Sequence, residues 1–517
     1  MQAVQNITIV GGGTAGWLTA LMLHTRLNWT RQGPPVQVAL IESPNIPIIG
    51  VGEGCLPGIM AEFQRIGLDE QEFIRRCNAT FKFGVNFVNW NLTEDGKPGT
   101  FVHPVSYGDR WLGGISPLYY YLAHGAHGGH DPHNAAASLD PIVEAIRLNR
   151  APRASPEDAY KGDFFRYAYH FDATKLAEYL RETGTRRGIT HVLDDVDNAI
   201  VGDGEIISHL ILRQRGAIPV ELVIDCTGFR GTIISKILNE PFQSYSNNLL
   251  CDRAVPIQIP YRENEPIESS TSATALSAGW VWRIPLFNRI GTGYVYSSQH
   301  RSDDEAIREL CQYLGLDPEG VEPRVIQMRV GRLRRAWVGN CIAVGLSGGF
   351  IEPLEATAIM SIAVTAFQIT HHFPDKSMPE TLRQRFNKRI DTLYNNVRDF
   401  ILMHYYLANR PEPFWRAARD PSVLTESLLE NLEVWRYRLP EPEDLGQPNI
   451  FTDASYAVCL ASKGFFRGQK LFMETRAARQ HWDHYFAALE RRRARMRALP
   501  SARDFLAKMR REQPVAA

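Results

Sequence analysis

The sequence predicts an α/β chain in which a large nucleotide-binding module precedes a smaller, mainly helical one. Three observations carry this. The chain opens on a β-branched apolar run that leads through a glycine turn into a helical pattern. Further short apolar runs ending in glycine-bearing turns recur up to about residue 345. After about Thr370, aromatic and basic residues at helical spacing take over. The modules read as 1–370 and 371–517, with a substrate-facing insertion at about 101–165.

The first element is Asn6 to Gly16, NITIVGGGTAG. Ile7, Ile9 and Val10 read as a buried strand, and Gly11, Gly13 and Gly16 follow in G-x-G-x-x-G spacing. Trp17 to Leu27 is helical in pattern. Strand, turn and helix in that order are the setting a dinucleotide fingerprint requires. Its glycines permit a tight turn and close backbone approach, and the helix start favours a pyrophosphate. A second strand, Val36 to Ile41, ends at Glu42, an acid placed to hydrogen-bond a ribose hydroxyl.

Composition narrows the class. The formal net charge of the 517 residues is zero, so no global field directs the chain toward nucleic acid or an anionic membrane. No run of ~18 apolar residues is present to span a bilayer, and the N-terminus lacks the basic region of a signal peptide. The seven cysteines are scattered with no C-x-x-C pair, which points to reduced thiols, no zinc site and a cytoplasmic address.

In chain order, Ile49 to Gly54 is a second glycine turn, whose Gly50, Gly52 and Gly54 allow backbone to approach a planar ligand. Cys77 to Trp90 alternates Phe81, Phe83, Val85 and Phe87 and reads as one strand; its only charge, Lys82, would ordinarily face solvent. The histidines His124, His127, His130 and His133 lie among glycines that fix no ligand geometry, and poor order is expected somewhere between His124 and Lys161. Asp172 is a natural N-cap for a helix reaching Gly184. Gly188 to Val196, Ile206 to Arg213 and Leu222 to Asp225 read as strands, the last followed by the turn CTGFRG. Trp280 and Trp282 share one side of a strand ending at Pro285, where they either wall a flat cofactor or anchor a core. Tyr294 to Ser298 is its hairpin partner. After a strand at Asn340 to Val344, Pro353 is placed to open a buried helix through Phe367, with Glu352 and Glu355 beside its first turn. The basic tail Glu490 to Arg511 reads as a solvated helix.

Together these segments resemble the flavin-dependent halogenases of the tryptophan halogenase family. Trp280-Val281-Trp282-Arg283-Ile284-Pro285 matches the family's W-x-W-x-I-P signature. Further matches are GVGEG (Gly50 to Gly54), FKFGVNFVNW around Lys82, DCTGFRG (Asp225 to Gly231), CDRAV (Cys251 to Val255) and IEPLEATAI (Ile351 to Ile359). The resemblance implies an FAD-binding module of the glutathione-reductase and aromatic-hydroxylase type. It implies cofactor contacts at Gly11, Gly13, Thr14, Ala15 and Gly16, at Glu42, at Gly52 and Gly54, and at Val196, Trp280, Trp282, Leu354 and Ile359.

It also implies a division of labour. Reduced FAD from a separate flavin reductase reacts with oxygen, halide is oxidised to hypohalous acid, and the acid travels to a catalytic lysine, matched by Lys82. That lysine is expected to be protonated at its free pKa of about 10.4. Glu355 matches the catalytic glutamate. The tryptophan pair shields the flavin, His103 matches a histidine that stacks on an indole-type substrate, and the amides of Thr357 and Ala358 match the halide site. Where the family reads E-S-T-G, this chain reads Glu355-Ala356-Thr357-Ala358. If the last position needs positive φ, Ala358 costs about 1 kcal/mol there, which favours a larger, less hydrated halide such as bromide. The partners implied are a transient reductase and an aromatic small molecule, with a homodimer allowed. The alternatives are a flavin monooxygenase, which would want G-D where Gly345-Leu346 stands, and an FAD-binding protein without halogenation, which the two alanines would suit.

Overall fold

The computed structural model describes residues 2–30, 34–46, 52–105, 112–125, 134–158 and 166–511. Asn6–Val10 lies inside a six-stranded sheet ordered Trp337–Val338, Cys341–Ala343, Leu222–Asp225, Asn6–Val10, Gln37–Glu42, Thr190–Leu193. All neighbours are parallel except the first pair. Parallel strands are covered on both faces, which is why Ile7 and Ile9 are buried in a near-continuous apolar run. The predicted strand, turn and helix are all present, the helix running Thr14–Leu27 and packing on Ala173–Arg186 and Ala358–His371. Asp172 caps Ala173–Arg186 by accepting from the amides of Thr174 and Lys175.

A seven-stranded sheet holds Gly279–Pro285 between Ile290–Tyr296 and Thr271–Leu276, and the latter pairs in parallel with Gly84–Leu92. A three-stranded sheet sets Ala168–Asp172 between Gly52–Gly54 and Thr80–Lys82. The segment read as one strand, Cys77 to Trp90, therefore divides. Thr80–Lys82 belongs to the small sheet and Gly84–Leu92 to the large one, and Phe83 at the switch donates its amide to Ser269 O at 2.8 Å. Both faces of this segment are covered, so its alternation did not mark a wet side. The expected strands at 188–196 and 206–213 are Thr190–Leu193 and Ile207–Leu212; Val196–Val201 and Gly216–Pro219 complete a meander with the second.

Within the passage from His124 to Lys161, residues 134–158 fold, while 126–133 and 159–165 lie outside the described residues. Ala135–Leu139, capped by Asn134, and Ile142–Arg147 are helices that bury Ala135, Leu139, Ile142 and Ile146. His124 ends a helix with its Nε2 2.6 Å from Ala477 O, while His127, His130 and His133 lie outside the described residues. The basic tail is corrected. Arg479–Ala498 and Ala502–Arg510 bury Leu489, Met496, Phe505, Leu506 and Met509 against the body. One apolar cluster runs from Ile9 and Trp17 through Trp280 to Phe505, across both predicted modules. Among the described residues no helix is long and apolar enough to cross a membrane.

Candidate active site

Lys82 ends its short strand with no exposed surface, and its Nζ donates to Cys55 O at 3.2 Å. Its burial departs from what a lone lysine on an alternating strand ordinarily does and agrees with the place the family resemblance gives it. Burial lowers its proton affinity below the usual lysine value, with Glu355 and then Cys55 pulling back the other way. A Cβ at Gly54 would lie 3.5 Å from Lys82 Nζ and 3.3 Å from the Ala356 side chain. The G-E-G strand, the lysine and the E-A-T turn thus meet at one point. Facing Thr80 across the small sheet is buried His170, between the hydroxyls of Thr80 (3.2 Å) and Thr271 (2.8 Å). Burial, then Lys82, hold it neutral; its place inside an ordinary apolar strand gave no sequence signal.

Glu355 closes a single 3-10 turn, Pro353–Glu355, after which Ala356 takes φ 55°, ψ 45° and a separate helix starts at Ala358. The expected helix start at Pro353 is therefore displaced, and the left-handed residue is Ala356, with Ala358 in ordinary helical geometry. The strain assigned to Ala358 belongs two residues earlier. Ala356→Gly is expected to stabilise the protein by about 1 kcal/mol, read as a raised thermal midpoint; an unchanged or lowered midpoint would show the turn to be unstrained.

The buried Glu355 carboxylate has Oε1 2.7 Å from His103 Nδ1 and 3.4 Å from His404 Nε2. Burial alone would raise its pKa, but His103 and then His404 outweigh that and hold it at about 2. Sequence reasoning missed His404. Its ring stacks on Phe87 at 4.5 Å and 5°, and burial keeps it neutral down to about 4. His103, expected against a substrate ring, has the Phe400 and Phe451 rings 5.5 and 6.3 Å away. At the start of Ala358–His371, Thr357 gives no side-chain cap, and the Ser361 amide bonds back to Thr357 O. The amides of Ala358, Ile359 and Met360 are thus without helical acceptors, and the helix dipole favours an anion beside them.

At the other end, Gly11 has φ 119°, and a Cβ there would meet Cys226 O at 2.3 Å. A Cβ at Gly12 would strike the Glu42 carboxyl at 2.1 Å, so the acid reaches the turn; its Oε2 is also 2.8 Å from His191 Nε2. Gly13 faces open space, with Thr14, Ala15 and Gly16 in the first helical turn behind it. A turn closed to side chains at Gly11 and Gly12 and open at Gly13, a helix start behind it and an acid that reaches it fit an FAD pyrophosphate and ribose. Val196 packs against the apolar cluster that includes Val10 and Ile41. Trp280 and Trp282 are both buried, 6.4 Å apart edge to face, and Trp282 covers Gly293. Gly52 lies against Ile284 of the same strand, and Leu354 and Ile359 are buried on either side of the Ala356 turn. Among the described residues no group of three or more His, Cys, Asp or Glu is placed to hold a metal ion.

A dinucleotide cradle built into the same core as a dry amine and carboxylate defines a flavin-dependent oxidoreductase. The family model described as tryptophan halogenase matches residues 6–477, and the chain belongs to that family. It is 35% identical to tryptophan 7-halogenase RebH of Lentzea aerocolonigenes, over 97% of this chain and 98% of that one. It is 36% identical to tryptophan 6-halogenase ThaL of Streptomyces albogriseolus, over 84% and 83%. The crystal structure of a tryptophan halogenase from Shewanella frigidimarina superposes with a TM-score of 0.90 at 34% identity, covering 98% of each chain.

Proposed function

We propose that this chain halogenates an electron-rich, indole-type aromatic, with Lys82 delivering the halogen and Glu355 taking the ring proton. The observation that carries the proposal is a buried amine of lowered proton affinity acting under an ionised, equally buried carboxylate. FAD, held by residues 1–370 and reduced by a separate flavin reductase, supplies with oxygen the oxidation of halide to hypohalous acid. The amides of Thr357 and Ala358 hold the halide. As an ammonium, Lys82 donates to the hypohalous oxygen; as an amine, it takes the halogen and releases water. Glu355 accepts the proton displaced when the carbon–halogen bond forms. Trp280 and Trp282 separate cofactor from substrate, which the helical part, 371–517, faces. RebH and ThaL, near equal in identity to this chain, carry different ring positions in their names, so we assign regiochemistry to pocket-lining side chains. Seven buried free thiols support a cytoplasmic location.

The test is mass spectrometry of indole incubated aerobically with the protein, FAD, a flavin reductase, NADH, and bromide and chloride in competition. A bromine isotope doublet is expected. A gain of one oxygen would replace the reading with an aromatic hydroxylase; with Ala358 in ordinary helical geometry the reason for a bromide preference falls away, and the ratio of brominated to chlorinated product reads the preference directly. His103→Ala is expected to raise the KM for indole. It should also cost about 2 kcal/mol of stability, the scale of a hydrogen bond to a charged group. An unchanged KM would remove the stacking role and leave His103 as a partner of Glu355 alone.

A further inference from the structure

Glu352 opens the turn that carries Glu355, is fully buried, and takes no part in the mechanism above. Neither of its carboxyl oxygens, nor the buried Trp280 Nε1, has a hydrogen-bond partner of good geometry among the described residues. Burial pushes the carboxyl up to about 8, against smaller opposing pulls from Tyr405, Trp280 and Cys251. None of these three is a cation. Tyr405 and Cys251, the titratable groups facing it, themselves hold their protons well above their ordinary values because of burial. Tyr405 Oη stands 3.5 Å from Cys251 Sγ. An ionised carboxylate in such a place would be a buried charge with no counterion, the arrangement proteins avoid.

We infer that Glu352 is a positioning residue for the tryptophan wall: a neutral carboxyl whose carbonyl oxygen accepts from Trp280 Nε1 and whose hydroxyl donates to Tyr405. Tyr405 in turn donates to Cys251 Sγ, where the row ends. An indole N–H can only donate and a protonated carboxyl can do both, which fixes the direction of the row. The wall is thereby tied to the turn that aims Glu355, so indole shield and catalytic carboxylate move as one body. The importance of the wall rests on the halogenase reading; the row of hydrogen bonds does not. Its sign with pH follows. The fold favours the acid form, so wild type loses stability as pH rises from the ordinary carboxylate range through about 8. Glu352→Gln, which cannot ionise, gains on it over that window.

The test uses Glu352→Gln and Glu352→Leu in the full chain. First, without flavin or substrate, the infrared difference between wild type and Glu352→Gln should contain the carbonyl stretch of a protonated carboxyl at pH 6, fading above pH 8. A carboxylate band at pH 6 would overturn the inference. Second, with indole and bromide, Glu352→Leu should raise the NADH consumed per brominated product about tenfold, and Glu352→Gln should return it to within about twofold of wild type. Equal uncoupling in both would mean that a hydrogen-bonding amide of the same shape cannot replace the carboxyl, so that neutral hydrogen bonding does not hold Trp280, and would also overturn it. If wild type gives no brominated indole but shows the protonated band, the hydrogen-bonded row stands and the halogenase reading falls.

Discussion

Lys82→Ala is expected to lower bromination of indole by about a thousandfold or more while leaving a folded, FAD-binding protein. The loss should be near complete because Lys82 is the amine on which the Glu355 charge acts. Lys463, also set among aromatic rings, lies 5.0–5.8 Å from the Phe87, Trp90 and Phe101 ring centres with its Nζ 3.2 Å from Asn91 Oδ1. The fold should survive, because burying the Lys82 ammonium is itself unfavourable and its removal forfeits mainly methylene packing, about 2–3 kcal/mol. Product mass spectra, an FAD absorbance titration and a thermal midpoint check the three parts. Lys82→Arg separates the two roles of the amine. A guanidinium donates hydrogen bonds but never deprotonates, so an active Lys82→Arg would mean donation suffices, and an inactive one would favour halogen transfer through nitrogen.

Glu355→Gln is expected to cut kcat by roughly 10²–10³ with a smaller change in KM, because the amide keeps the shape and loses the base. The acid behaviour of the two proteins should differ as well. A carboxylate held at about 2 stabilises the fold above its ordinary pKa and loses that contribution, about 3 kcal/mol, as pH falls toward 2. His404 acts in the neighbouring window. Its lowered folded pKa of about 4 means that protonation favours the unfolded chain as pH falls from about 6.5. Acid denaturation of wild type should thus be steep over both windows, and Glu355→Gln should lack the lower one. Identical pH–stability curves would show that Glu355 is not charged in the fold.

What could be read in advance was what the local sequence dictates. Asn6 to Gly16 declared strand, turn and helix because each step depends on neighbours a few residues away, and the same holds for the Gly279–Pro285 hairpin. Lys82 was illegible from periodicity alone, since its burial depends on a change of sheets at Phe83 and on cover from distant chain. The family resemblance supplied what alternation did not. Ala356 gave no warning of a left-handed turn because no glycine marks it. His404 and the Glu352 row are joined by tertiary contact, Glu352 to Tyr405 and Cys251, and no spacing rule links those positions. The helices of 134–158 hid behind a composition rich in alanine, proline and polar residues, whose buried face is small side chains with a few aliphatics.

The last described helix has a consequence for biogenesis. Phe505 packs edge-on against Phe81 at 5.7 Å, and Gln71 Nε2 donates to Met509 O at 2.9 Å. The Thr80–Lys82 strand is therefore synthesised long before Ala502–Arg510, one of the elements that cover it. Until residues 502–510 are in place, the Phe81 ring has Tyr167 and Tyr169 beside it but lacks its edge-on partner from Ala502–Arg510, so cover of this strand is completed only when distant parts of the chain have met.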